Sequence, residues 1–443
     1  MTRGLIIAAP ASGCGKTVVT LGLLRHLVRS GVVTASAKMG PDYIDAGFHA
    51  AATGRACINL DVWAMREATL SAAMTTLATS AELVVCEGVM GLFDGADART
   101  GSTADLAAMS GWPVVLIVDA GAQAASAAAV VRGFATHRRD VHVVGVLFNR
   151  VGGPGHAAVL RDAMADHLPD VAVLGCLPYA ETLRLPERHL GLVQALEHSD
   201  LARFLDDAAE FFATHVDTAR LCALARPSSA PGAPTTTSPP LPPLGQRIAV
   251  ADDVAFAFRY PLVTEGWRGA GCELVPFSPL ADEPPAEDCD AIYLPGGYPE
   301  LHAARLAGNR RFLTGLREAA ARGAAVFGEC GGYMVLGEQL IDAGGEAHAM
   351  AGLLPVETSF ADRGLHLGYR RVSLASSGPL GPSGAVFRGH EFHFAKVLRE
   401  GPGQPLFDCA DAGGRPLGAT GLAAGSVMGS FVHLIDREDA ADG

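Results

Sequence analysis

Short apolar runs separated by stretches of helix length fill the first half of the chain. They lie at residues 5–9, 32–37, 83–86, 114–118, 143–148 and 171–174. Runs this short and continuous read as strands buried on both faces. Their alternation with helical segments, such as 18–29, predicts a parallel sheet with right-handed crossovers. Residues 227–245 break the pattern: they are rich in Pro, Ser and Thr, have almost nothing to bury, and read as an extended linker. Beyond them the same texture returns at 247–251, 273–277, 291–294 and 324–327, and 352–394 is richer in strands and turns. The expected architecture is α/β in two domains, residues 1–226 and 246–443. In such sheets ligands collect at the C-terminal ends of strands.

Composition supports this picture. A chain of 443 residues exceeds one ordinary core, and 49% hydrophobic content with only 6% aromatics means an aliphatic interior. The net charge of −13 argues against nucleic-acid binding by bulk electrostatics. Nine scattered cysteines contain no C-x-x-C pair, which fits a reducing cytoplasm and excludes a zinc site of that kind. The first residues enter a strand directly, so no secretory leader is expected. The longest apolar region, 114–131, is broken by Asp119 and Gln123 and does not read as a membrane span.

The first strand runs into Pro10-Ala11-Ser12-Gly13-Cys14-Gly15-Lys16-Thr17. Against the phosphate-loop pattern G-x-x-x-x-G-K-[ST], Gly15, Lys16 and Thr17 match, and Pro10 replaces the first glycine. The physics survives that change. Gly13 and Gly15 let backbone N–H groups converge on an anion, and the following helix adds its dipole. Lys16 would reach the β- and γ-phosphates of a nucleotide, and Thr17 would ligate Mg²⁺. Asp42 and Asp45 follow the second strand, and Glu87 and Asp94 the third. Asp45 and Glu87 are the candidates for Mg²⁺, which takes one or two carboxylates plus phosphate oxygens. Asp42 and Asp94 fit either the metal or a substrate, and turn-forming aspartates with a surface glutamate remain the plain alternative. Asp119 is expected to cap a helix or hold a loop, and Asn149 is a candidate contact to a base. Residues 185–192 form a polar cluster that composition does not assign.

In the second half, Gly328-Glu329-Cys330-Gly331-Gly332 joins an apolar run to a helix-like segment. Strand, sharp glycine-flanked turn and helix make a nucleophile elbow with cysteine in the serine position. The helix N-terminus is expected to favour thiolate. A buried cysteine in a tight turn is the bland reading. The best-placed base is His433, and oxyanion donors are expected at Gly331 and Gly297. His390-Glu391-Phe392-His393 has its histidines at i and i+3, not the i and i+4 of H-E-x-x-H, so zinc is not expected there.

These motifs, with Gly-Pro-Asp-Tyr-Ile-Asp, Glu-Gly-Val-Met-Gly-Leu-Phe-Asp-Gly, Leu-Pro-Glu-Arg-His-Leu-Gly-Leu, Leu-Pro-Gly-Gly-Tyr-Pro-Glu and Gly-His-Glu-Phe-His, strongly resemble the cobyrinate a,c-diamide synthases. The aerobic-pathway members of that family are the hydrogenobyrinate a,c-diamide synthases. The resemblance covers nearly the whole chain except the linker. It implies a P-loop-type, mostly parallel ATP domain joined to a flavodoxin-like class I glutamine amidotransferase domain. Cys330 would attack the glutamine amide. The first domain would use ATP and Mg²⁺ to phosphorylate the a and c acetates of hydrogenobyrinate or cobyrinate, with Lys16 and Thr17 on phosphate and metal, Asp45 and Glu87 on the metal, and Asp94 near the reacting carboxylate. Asp42, Glu187, Arg188 and His189 are the expected substrate residues. Partners would be the corrinoid and L-glutamine, with no nucleic acid and no membrane, and a homodimer is compatible. One departure from the wider amidotransferase pattern is that His433-Leu434-Ile435 lacks the carboxylate of His-x-Glu. A backbone carbonyl or Asp436 are the open possibilities for orienting the imidazole. Cobyric acid synthase is the nearest alternative, against which Ala9-Pro10 speaks where Gly-Thr is usual. A regulatory P-loop ATPase is the alternative of another class, against which the intact elbow and His433 speak.

Overall fold

A computed structural model describes residues 2–188, 191–198, 200–230 and 238–439. The chain divides into two compact units, Met1–Trp63 with Leu70–Thr237, and Ala64–Thr69 with Ser238–Gly443.

The first unit runs β1 (Arg3–Ala8), α1 (Lys16–Arg29), β2 (Thr34–Met39), α2 (Tyr43–Thr53), β3 (Ile58–Leu60), α3 (Glu67–Ser80, whose first turn belongs to the second unit), β4 (Leu83–Glu87), α4 (Thr103–Ser110), β5 (Val114–Asp119), α5 (Ser126–His137), β6 (Val143–Val151), α6 (Pro154–His167) and β7 (Ala172–Pro178). After these come the two-residue pair β8 (Glu187–Arg188) and β9 (Gly191–Leu192), then α7 (Leu201–His215), α8 (Thr218–Leu224) and β10 (Arg226–Pro227). The sheet order is β3-β2-β4-β1-β5-β6-β7, every neighbour parallel, with β10 antiparallel on β1. Strands β1, β4 and β5 are almost wholly buried because helices cover both faces. The ladder sets Lys38 opposite Glu87 and Ile7 opposite Glu87, so the ends of β1, β2 and β4 meet at one edge.

The second unit opens with β11 (Arg247–Ala251), α9 (Pro261–Gly269), β12 (Glu273–Phe277), β13 (Ala291–Leu294), α10 (Ala303–Gly308), α11 (Arg310–Ala321), β14 (Ala325–Glu329) and α12 (Gly331–Leu336). A strand-rich stretch follows: β15 (Gln339–Ile341), β16 (Ala347–Ala349), β17 (Val356–Ser359), β18 (His366–Leu374), β19 (Val386–His393), β20 (Lys396–Glu400), β21 (Gln404–Asp411), β22 (Pro416–Ala424), β23 (Val427–Ser430) and β24 (His433–Arg437). Its main sheet is ordered β12-β11-β13-β14-β23-β22-β21-β18-β19-β24. It is parallel from β12 to β23 and antiparallel beyond. A smaller sheet runs β16-β15-β17-β20.

The expected linker is packed at both ends. Arg226–Pro227 pairs with β1, and the Ser229 N–H donates to the Ser110 carbonyl. On the other side Leu241 and Leu244 are buried, and the Trp267 Nε1–H donates to the carbonyls of Leu241 and Pro242. Proline-rich composition hid two leucines that the second unit buries. Residues 231–237 lie outside the described residues. Among the described residues, no helix is long and apolar enough to cross a membrane.

Candidate active sites

The phosphate loop closes on itself through backbone conformations that favour glycine. Gly13 and Gly15 have φ of 81° and 92°, and Gly15 caps α1 in the left-handed region. The Asn149 Nδ2–H donates to the Cys14 carbonyl at 2.9 Å, and Arg150 donates to the Gly13 carbonyl at 3.0 Å. Asn149, expected against a base, therefore braces the loop. The Lys16 ammonium donates to the Met90 carbonyl at 2.6 Å. Burial, then the charge of Lys38, pull its pKa below the usual lysine value.

Three oxygen donors converge beside it. The Thr17 hydroxyl lies 2.9 Å from Glu87 Oε1 and 3.3 Å from Asp45 Oδ2. Sequence reading missed the cation among them: Lys38 Nζ stands 3.0 Å from Asp45 and 3.4 Å from Glu87. It missed His49 too, one turn beyond Asp45 on α2, whose Nε2 lies 2.7 Å from Glu87 Oε2. The signal available for Lys38 was its place at a strand end before Gly-Pro-Asp. Burial would raise the Glu87 pKa, but Lys38, His49 and Thr17 outweigh it and hold the carboxyl well below the usual range. Asp45 goes the other way, up to about 7, through burial and the nearby Asp42, with Lys38 opposing. A hard-oxygen set already holding an ammonium between its carboxylates suits a small divalent cation such as Mg²⁺.

These groups line a cavity of about 640 Å³ whose wall includes Gly13, Gly15, Lys16, Thr17, Lys38, Asp42, Asp45 and Glu87. Asp42 also caps α2, accepting from the Ile44 and Asp45 N–H groups at 2.9 Å. Asp94 is not among the lining residues. Its Oδ2 accepts from the Gly91 N–H at 2.9 Å and closes the loop after β4. Asp119 holds its own loop, accepting from the Gly121 N–H and pairing with Arg150. Glu187 and Arg188 form β8, and His189 lies outside the described residues.

In the second unit Cys330 stands between β14 and the six-residue α12 with φ 47° and ψ −103°. Few non-glycine residues adopt such a backbone. The turn is fastened by the Cys330 N–H, which donates to the Ser430 carbonyl at 2.8 Å. The surroundings of the sulfur run against the expected thiolate. Burial, then the carboxylate of Glu300, push the Cys330 pKa well up, and the Gly331 N–H only partly opposes them. Burial thus works against the helix end, and activation of the sulfur falls to a base.

His433 begins β24 and is 1% exposed. Burial, then the neighbouring His390, hold its pKa well below 6.5, so the imidazole is neutral and able to accept a proton. His390 stacks on it, ring centroids 5.1 Å apart, and the Tyr260 hydroxyl lies 3.1 Å from His390 Nδ1. His393 instead stacks on Phe431 at 3.9 Å. The turn Gly296-Gly297 touches both halves of the site. A Cβ on Gly296 would lie 3.2 Å from His433 Nε2 and closer still to Cε1, and a Cβ on Gly331 would lie 3.0 Å from the Gly297 nitrogen. Asp436 does not orient the imidazole through a free carboxylate: it accepts from the Arg66 N–H at 2.9 Å and Nε–H at 3.0 Å, within the same unit.

Comparison with known proteins gives these sites a context. Residues 5–193 match the CobQ/CobB/MinD/ParA nucleotide binding domain, and 247–441 match the CobB/CobQ-like glutamine amidotransferase domain. The hydrogenobyrinate a,c-diamide synthase of Brucella suis biovar 1 (strain 1330) is 55% identical over 98% of this chain and 98% of its own length. Those of Rhizobium meliloti (strain 1021) and Mesorhizobium japonicum are 51% and 50% identical, each over at least 98% of both chains. With half or more of its residues shared along nearly its whole length, the chain belongs to the hydrogenobyrinate a,c-diamide synthase family.

Proposed function

We propose that the chain catalyses ATP- and glutamine-dependent amidation of the a and c acetate carboxylates of hydrogenobyrinate or cobyrinate, a step of cobalamin biosynthesis. The names of its relatives and the two matched domains support this reading. The observation that carries it is the Gly296-Gly297 turn, set against His433 on one side and Gly331, next to Cys330, on the other. A buried thiol and a buried neutral imidazole, each close to the same Gly296-Gly297 turn, suit amide hydrolysis and have no use in a plain nucleotide hydrolase.

In the second unit His433 takes the thiol proton as Cys330 Sγ attacks the side-chain amide carbon of glutamine. The Gly297 and Gly331 N–H groups receive the oxyanion. The proton returns to the leaving nitrogen, ammonia departs, and water releases glutamate from the thioester. In the first unit the N–H groups around Gly13 and Gly15, with Lys16, hold the ATP phosphates. An acetate oxygen attacks the γ-phosphorus and ADP leaves. Ammonia then adds to the acyl phosphate carbonyl and phosphate leaves. Thr17, Asp45 and Glu87 would hold Mg²⁺, which when bound offsets the phosphate charge. Asp42, Glu187, Arg188 and His189 are proposed for the corrinoid, and Asp94 for the neighbourhood of its reacting carboxylate.

Mass spectrometry of products tests this, with hydrogenobyrinate and cobyrinate incubated separately with glutamine and ATP. Diamidated corrinoid is the expected result. ATP hydrolysis and glutamate release with neither corrinoid amidated would overturn the substrate assignment.

A further inference from the structure

We propose that Glu329 is the positioning residue for the His433 base, tying the strand that carries the histidine to the elbow that carries the thiol. The proposal rests on the Cys330–His433 reading above. Glu329 ends β14, immediately before Cys330. One carboxylate oxygen accepts from the Leu434 backbone N–H at 2.9 Å, the peptide group that leaves His433. The other accepts from the Tyr293 hydroxyl at 2.6 Å. Tyr293 is itself packed between aromatic rings, 5.3 Å from Trp267 and 6.0 Å from Phe327, so it approaches the carboxylate from a fixed platform.

A second tie runs alongside. The β14–β23 ladder sets Glu329 opposite Ser430, whose carbonyl receives the Cys330 N–H. Residues 329 and 330 therefore hold the chain both before and after the turn at 431–433. A carboxyl group 1% exposed is costly to keep, and burial raises its pKa to about 7 against the pull of its two donors. No aliphatic side chain could accept the Leu434 N–H, which would be left buried and unpaired. Asp436, the acid on the strand that begins with His433, is already committed to Arg66. Glu329 thus fixes the imidazole through the backbone that bears it, where a carboxylate on the ring itself would act directly.

The test is a double-mutant cycle read by glutamate release, with kcat and KM separated. Glu329→Ala, Glu329→Gln and Tyr293→Phe are each made alone and with His433→Ala. An imidazole displaced by about 1 Å predicts roughly a hundredfold loss of kcat in Glu329→Ala, with KM for glutamine within about threefold. Glu329→Gln keeps an acceptor for Leu434 and should recover to within about tenfold of wild type. On the His433→Ala background Glu329→Ala should cost nothing further, because its effect passes through the imidazole. A loss of the same size on both backgrounds, or wild-type kcat in Glu329→Ala, would overturn the proposal. If Glu329→Ala does not fold by circular dichroism, Tyr293→Phe carries the same cycle. Full glutaminase activity in Cys330→Ala or His433→Ala would show instead that the underlying couple is wrong, and the proposal would fall with it.

Discussion

His433 lies against the bare Cα of Gly296, so close that a single added methyl group would meet its ring. The base is held by the absence of a side chain as much as by the presence of others. Gly296 has no left-handed φ, so the only obstacle to alanine there is steric.

Gly296→Ala should therefore displace the imidazole and leave the fold intact. A base moved by about 1 Å predicts a loss near a hundredfold in glutamine-dependent amidation, with ammonia-dependent amidation kept. Steady-state assays with each nitrogen donor check it. Equal losses with both donors would mean that the damage spreads beyond the base.

Cys330→Ala should abolish glutamine use and leave synthesis from ammonium largely intact. The thiol serves only to release ammonia, and the carboxylate is activated in the first unit. Loss of activity with ammonium at high pH would contradict that division of labour.

Lys16→Ala should stop amidation with either donor, since no acyl phosphate forms. Removing one cation from the transferring phosphoryl group costs a few kcal/mol, or about two to three orders of magnitude in rate. Near-normal turnover at saturating ATP would remove the phosphate-loop assignment.

Acid should find His393. Burial, then the nearby His366, lower its pKa to about 3, against about 6.5 in an unfolded chain. The folded state thus binds the proton less tightly than the unfolded one. The stability this group contributes is complete above pH about 6.5 and is lost as pH falls towards 3. His393→Gln cannot take up that proton. Whatever it costs at pH 7.5, its deficit relative to wild type should shrink by about 2 kcal/mol at pH 5. Denaturant unfolding of both proteins at the two pH values measures this, and a constant gap would refute it.

Most parallel strands were legible because strands buried on both faces, such as β1 and β5, read as aliphatic runs; β2, buried throughout as Thr-Ala-Ser-Ala-Lys-Met, reads less plainly. The phosphate loop was legible because Gly13, Gly15, Lys16 and Thr17 are contiguous. Lys38 and His49 were not, since their meaning comes from the ladder that sets Lys38 opposite Glu87 and from the turn of α2 that brings His49 to the same carboxylate. The tie from Glu329 to Leu434 spans 105 positions and involves a backbone group, which no side-chain motif announces. What the motif around Cys330 did not announce is its burial, which raises the sulfur's pKa against the pull of the Gly331 N–H.

The backbone of Cys330 also sets a trade between durability and chemistry. A side chain at φ 47° is strained whatever its identity, and only glycine tolerates the place without penalty. Cys330→Gly should therefore unfold at a higher temperature than Cys330→Ala while being just as inert towards glutamine. The elbow gives up about 1–3 kcal/mol of stability so that a sulfur can stand where it reacts.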